Sequence, residues 1–195
     1  MARDRASRPE ARPLRLFVAA DVPPEVAQQL KAAIDPLRER ISVGRWTFPE
    51  NWHVTLKFLG STYPRLVEWV RGSVAAVASA HPPFATSLNG LGAFPSARRA
   101  RVLWAGLDDR APGFASLAAS LDDTLEREFK RERRPLTPHL TVARFDPPVG
   151  VAEALGRTED VWSESFPVDR VVLYRSHLRR PAPIYEPLEE FPLGG

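Results

Sequence analysis

Two short stretches carry side chains that can move protons and hold an anion. One, "HVTLKF", begins at His53; the other, "HLTVARF", begins at His139. In each, an imidazole is followed two residues later by a hydroxyl, Thr55 or Thr141. Successive side chains of a β-strand point to opposite faces, so His53, Thr55 and Lys57 share one face. Val54, Leu56 and Phe58 then form an apolar face that anchors the strand. Histidine's ordinary pKa near 6.5 allows one ring to be neutral while another is protonated. The neutral ring takes a proton from water or a hydroxyl, and the protonated ring gives one to a leaving oxygen. Each transfer is worth roughly 10²–10⁴-fold. Threonine hydroxyls beside the rings can hydrogen-bond anionic oxygens as charge develops. This set suits in-line displacement at phosphorus, above all in a cyclic phosphodiester, whose ring strain lowers the need for a metal.

The same elements position both motifs. "LRLFVAAD" (14–21) reads as a buried strand, and 22–41 as an amphipathic helix started by Pro23 and Pro24, with Pro36 as a point of kinking or ending. Strand material lies on both sides of the "PEN" turn in 44–60. "RVLWAGLD" (101–108) is again a strand, and 111–132 again a helix, with Phe114, Leu117, Leu121, Leu125 and Phe129 on one stripe. A strand over 136–145 then carries the second motif. Phe17 precedes His53 by 36 residues and Trp104 precedes His139 by 35. The chain is therefore a duplicated strand–helix–strand with His-x-Thr on each second strand. A further helix is expected over 63–80, extended chain over 83–96, a short helix over 151–161, a strand in 166–178 and an edge strand in 184–193.

Composition narrows the chemistry. The 195 residues include no cysteine, which removes disulfides, thiolate metal sites and a cysteine nucleophile. The motifs place Thr and Lys or Arg beside the histidines, with neither HExxH nor His-x-His, so no metal or other cofactor is expected. His81 and His177 lack a Thr two residues on and read as structural. The net charge is +3 with a pI of about 9.7, and the basic side chains are mostly arginine, which suits planar, bidentate partners such as phosphate. So small an excess implies a local patch, not a long nucleic-acid groove. Residues 1–13, charged and aperiodic, read as a disordered leader ahead of a domain over 14–195. No stretch approaches the roughly 20 apolar residues of a membrane span. A soluble, cytoplasmic monomer is the expectation.

The stretches "RLFVAADVP", "WHVTLKFLG", "LGAFPSARRARVLWAGL", "RPLTPHLTVARF" and "VVLYRSHL" resemble the two-histidine (2H) phosphoesterases, in the branch of RNA 2′,3′-cyclic phosphodiesterases, also called 2′-5′ RNA ligases. The resemblance runs from about Leu14 to Leu193. It implies an α+β fold of two pseudo-symmetric lobes, each an antiparallel sheet with helices outside, facing each other across a central cleft. It implies metal-independent opening of terminal 2′,3′-cyclic phosphates to 2′-phosphates, on RNA ends or nucleoside 2′,3′-cyclic phosphates, with 2′-5′ ligation in some members. His53 and His139 would be the acid–base pair, and Thr55 and Thr141 would hold the phosphate. Arg144 and Phe17 would lie near the substrate. Strict alternation puts Arg144 on the face opposite His139, so a bulge or strand end must bring it back. Lys57 is on the His53 face by register. Phe17 and Trp104 hold matching places, as core or as platforms for a terminal base. Two clusters, Arg98, Arg99, Arg101 and Arg131, Arg133, Arg134, are candidate RNA guides or solvated faces. An RNA-end-binding protein with little catalysis, or a related enzyme for another small cyclic phosphate, are the competing readings.

Overall fold

The computed structural model describes residues 12–110, 112–158, 161–180 and 182–194. Most of the expected leader, residues 1–11, lies outside the described residues. In chain order the elements are β1 (Leu14–Asp21), α1 (Pro24–Arg40), β2 (Arg45–Trp46), β3 (His53–Thr62), α2 (Pro64–Ser79), β4 (Phe84–Thr86) and β5 (Leu88–Phe94). They continue as β6 (Ala100–Leu107), α3 (Gly113–Leu125), β7 (His139–Val149), α4 (Ala152–Gly156), β8 (Phe166–Val168), β9 (Arg170–His177) and β10 (Ile184–Pro192).

The strands run β10-β9-β1-β3-β7-β6-β5, with β2 on β7, and β4 and β8 form a separate pair. Four strands belong to one lobe and three to the other. The lobes meet through a single β3–β7 residue pair, Val54 with Leu140. His53 and His139 immediately precede that pair. The helices bury one face of the sheet: Leu30, Ile34 and Leu37 of α1 and Leu117, Leu121 and Leu125 of α3 join Leu16, Val18, Val54, Leu103 and Leu140 in one core. Burying each such leucine contributes about 1.5–3 kcal/mol. Helix α1 runs through Pro36 without ending, because Pro36 and Ala32, whose carbonyl loses its donor there, are both exposed to water.

The same irregularity occurs in both motif strands. In β3, Thr55 is opposite Ala19 and Lys57 is opposite Val18, leaving Leu56 unmatched. In β7, Thr141 is opposite Trp104 and Ala143 is opposite Leu103, leaving Val142 unmatched. Each is a β-bulge, which places two consecutive side chains inward and reverses the alternation beyond it. Leu56 and Lys57 are both buried, as are Val142 and Ala143. Phe58 and Arg144 come outward in consequence.

Three expectations are corrected here. Lys57 is not on the His53 face; it is 1% exposed, under the sheet. Its ammonium donates to the Asp122 carboxylate and to the Lys130 carbonyl. Phe58, expected in the apolar face, is 57% exposed. The helix expected to reach 132 ends at Leu125, where the amides of Glu128 and Phe129 both turn onto the Leu125 carbonyl. The chain after it is held to β3 by Lys57, and Asp122 also accepts the Glu132 amide at 3.1 Å.

Removing one partner of such a buried pair leaves an uncompensated charge. Asp122→Ala is expected to lower the unfolding free energy in urea by about 3 kcal/mol. The double variant Lys57→Met/Asp122→Leu should recover most of that loss. An Asp122→Ala protein as stable as its parent would contradict this role.

Candidate active site

The bulges, the lobe seam and β2 together build one cavity of about 810 Å³ on the open face of the sheet. His53, Thr55, His139 and Thr141 line it. Arg144, turned outward by its bulge, lines it too. The short β2 fills the gap where β3 and β7 diverge: Arg45 is opposite Arg144, and the Thr47 amide donates to the carbonyl of bulged Val142 at 2.8 Å. Gly44 makes this approach possible. Its φ is +91°, and a side chain there would collide with the Phe145 ring.

Each histidine is fixed by the backbone two residues before it. His139 Nδ1 donates to the Thr137 carbonyl at 2.7 Å, and the backbone of Asn51 hydrogen-bonds the His53 ring. One nitrogen of each ring is thereby committed and the other left for chemistry. Aromatic groups flank both rings. Phe17 stacks on His53 with centroids 4.9 Å apart, and Tyr185 meets its edge at 5.1 Å. Phe94 meets the edge of His139 at 5.3 Å, with Trp104 at 6.3 Å. Trp104 crosses over Gly92, where a Cβ would strike the indole.

Phe17 and Trp104 thus occupy equivalent places, as their spacing suggests, but as backing for the two imidazole rings. Phe17 is 3% exposed, which leaves little of it for a nucleobase. Trp104 does not line the cavity. The two remaining histidines are engaged elsewhere: His81 contacts the Val77 carbonyl and Ser120 Oγ, and His177 contacts Glu186.

The charge of the cavity is one-sided. Among the described residues, Arg15, Arg45, Arg144, Arg179 and Arg180 line it, and no carboxylate does. None of the five forms an ion pair among the described residues. Burial, first, pushes the His53 pKa down to about 4, with Arg144 and His139 adding to the shift and the Asn51 hydrogen bond opposing it. Burial and then Arg144 lower His139 against the Thr137 hydrogen bond. Burial also raises Tyr185, which keeps its phenolic proton. Outside the cavity, Tyr174 donates to Asp21 at 2.7 Å, and burial raises that carboxyl. The cavity therefore presents cations and neutral imidazoles, a lining that suits an anion.

Arg45, Tyr185, Arg15, Arg179, Arg180 and Phe58 are absent from the sequence-based site. The adjacent arginines at 179–180, in a proline-flanked loop, were a usable signal. The others reach the cavity through β2, β10, β1 and a bulge, none of which spacing reveals. Among the described residues, no three His, Cys, Asp or Glu side chains come together as a metal site requires.

The chain is similar to proteins of one family. Residues 22–180 match the 2'-5' RNA ligase superfamily. The RNA 2',3'-cyclic phosphodiesterase of Methanothermobacter thermautotrophicus is 32% identical over 92% of this chain and 99% of that protein. That of Aquifex aeolicus is 31% identical over 88% and 91%. TT0787 of Thermus thermophilus superposes with a TM-score of 0.79 at 28% identity, over 93% of this chain and 99% of that one. E. coli LigT complexed with 3'-AMP gives 0.72 at 27% identity, over 93% and 98%.

A bound anion should reverse the histidine shifts, since it neutralises the arginine field and favours the imidazolium. In proton NMR titrations, His53 of the free protein should titrate near pH 4 and His139 below its ordinary 6.5. Inorganic phosphate should move both midpoints upward. A His53 midpoint at the ordinary value, unmoved by phosphate, would contradict the burial and the coupling.

Proposed function

This chain belongs to the 2'-5' RNA ligase superfamily, and from that premise we propose that it opens terminal 2′,3′-cyclic phosphates of RNA to 2′-phosphomonoesters without a metal. One observation carries the reading: two backbone-fixed histidines and two threonines share a cavity that the described residues wall with five arginines and no carboxylate. The scissile phosphate sits between the two rings. One neutral imidazole removes a proton from water as the water oxygen bonds to phosphorus. The P–O3′ bond breaks, and the protonated imidazole gives its proton to O3′. Thr55 and Thr141 donate to the non-bridging oxygens, and Arg144 offsets the charge that grows on them. Phe17 and Trp104 keep the rings in place. Lys57 has no contact with the substrate. The same groups serve 2′-5′ ligation when a ribose hydroxyl replaces water.

The reading takes the chain to act as a monomer. The absence of cysteine suits a reducing cytoplasm, and among the described residues no helix is long and apolar enough to cross a membrane.

His53→Ala and His139→Ala should each lower turnover of a nucleoside 2′,3′-cyclic phosphate by at least ~10². Phosphorus NMR should show a 2′-phosphate as product, formed at the same rate in EDTA. Full activity in either variant would sink the mechanism. An RNA-binding protein without catalysis would show no product at all.

The pH dependence follows from the shifts. Activity requires one ring protonated and one neutral, and in the free protein both rings lose their protons below the ordinary 6.5. The alkaline limb of kcat/KM should therefore have its midpoint below 6.5, while that of kcat, which reports the substrate complex, should lie higher. Coincident limbs at or above 6.5 would contradict this.

A further inference from the structure

We propose that the RNA strand leaves the catalytic cavity along β3, over Phe58, into a basic groove formed with residues 130–134. This rests on the cyclic phosphodiesterase reading and names the larger part of its substrate. Of the two arginine clusters in the sequence, only one borders the cavity. Arg98 and Arg99 lie in the β5–β6 turn, Arg101 pairs with Asp146 at 3.4 Å, and none of the three lines the cavity. The chain after α3 instead forms a groove of about 510 Å³ with β3, lined by Lys130, Arg131, Arg133 and Arg134. Phe58 and Gly60 line this groove and the catalytic cavity alike, so the two are continuous.

The charge of the groove is available to a ligand. Arg131 is neutralised by Asp123 at 2.5 Å and Glu126 at 3.1 Å. Lys130, Arg133 and Arg134 are exposed and form no ion pair among the described residues, and Glu132 is the one acidic group in the lining. The loop is also rigidly seated, through Lys57 with the Lys130 carbonyl and Asp122 with the Glu132 amide. Phe58 stands at the junction with its ring 57% exposed, 6.2 Å from Phe17. An exposed aromatic between two cationic surfaces is the arrangement on which single strands stack their bases while their phosphates follow the charge. From His53 to Gly60, β3 covers about 20 Å, room for several nucleotides. A nucleoside cyclic phosphate has no further nucleotides to lie along this path.

The test compares two substrates on the full chain: a nucleoside 2′,3′-cyclic phosphate and a short oligoribonucleotide ending in a 2′,3′-cyclic phosphate. Arg133→Glu/Arg134→Glu should lower kcat/KM for the oligonucleotide by about tenfold at about 50 mM salt and flatten its salt dependence. The nucleoside substrate should be unaffected. Arg98→Glu/Arg99→Glu makes the same change in net charge away from the groove and should leave both substrates unaffected. Unchanged oligonucleotide kinetics, or equal losses in the two double variants, would overturn the path. Equal losses on both substrates would do the same, since they indicate a distorted cavity. Anisotropy with a labelled oligonucleotide carrying a 3′-phosphate reads the path without turnover: weaker binding by the 133/134 variant supports it, and an unchanged Kd overturns it. An active enzyme on neither substrate would instead refute the reading of activity.

Discussion

A single backbone pairing, Val54 with Leu140, joins the lobes and sets the spacing of the chemistry. Both residues are buried, and each directly follows a histidine of the candidate site. Alternation then requires His53, Thr55, His139 and Thr141 to lie on the opposite, open face. Had the lobes paired over more of their length, β2 could not have entered between β3 and β7. Arg45 would then be absent from the cavity, and the carbonyl of Val142 would lack the Thr47 amide. A short seam and a divergence beyond it thus create a pocket between two otherwise ordinary antiparallel sheets.

The charges in this pocket make sense only with a substrate present. Burial and the arginine field oppose protonation of either ring, whereas the proposed mechanism needs one imidazolium. In that mechanism a phosphodiester anion supplies the counter-charge, so binding would create the protonation state that the proton transfer uses. Aromatic backing contributes to this by excluding water from the far side of each ring, which makes the field of Arg144 more effective. The lobes differ where this field originates. Arg144 in one is matched by Phe58 in the other, because both strands bulge at equivalent places. Lys57 and Ala143, which alternation offers as the site of asymmetry, are both buried and lie outside the site. At this matched position, therefore, β7 provides a cation and β3 an exposed aromatic ring.

Much of the site was legible because its signal is local. His-x-Thr is a two-residue spacing, and its repetition after matching strands and helices distinguishes it from chance. The helices followed from apolar stripes, and the paired roles of Phe17 and Trp104 followed from their near-equal distances to the histidines, although their burial assigns them to support. What was hidden depends on pairing. A bulge is a property of two strands in register, and nothing in "HVTLKF" marks Leu56 as the residue left unmatched. Lys57 was misplaced for this reason, and Phe58 with it. Arg144 was recoverable only by allowing a bulge in advance. Arg45, eight residues before His53, is brought in by its pairing with Arg144 on β7, and Tyr185 comes from β10, so no local pattern could have joined them to the histidines.

Pseudo-symmetry also bears on how the proposed hydrolysis and 2′-5′ ligation would share one site. In hydrolysis, oxygen from water bonds to phosphorus, P–O3′ breaks, and one proton passes through each imidazole. If a 5′-hydroxyl attacks instead, the same P–O3′ bond breaks, the same protons move, and the product is a 2′-5′ linkage. The rings need no new positions, since only the nucleophile differs. The reverse reaction exchanges the duties of base and acid, which two similarly held, similarly backed histidines can accept. What decides between outcomes is therefore the occupant of the cavity mouth: water is always available, whereas a second RNA end must be held there. The arginines at 179 and 180 lie in the same wall as the catalytic groups. Control over the reaction thus belongs to the surfaces that hold RNA, and the two histidines are indifferent to it.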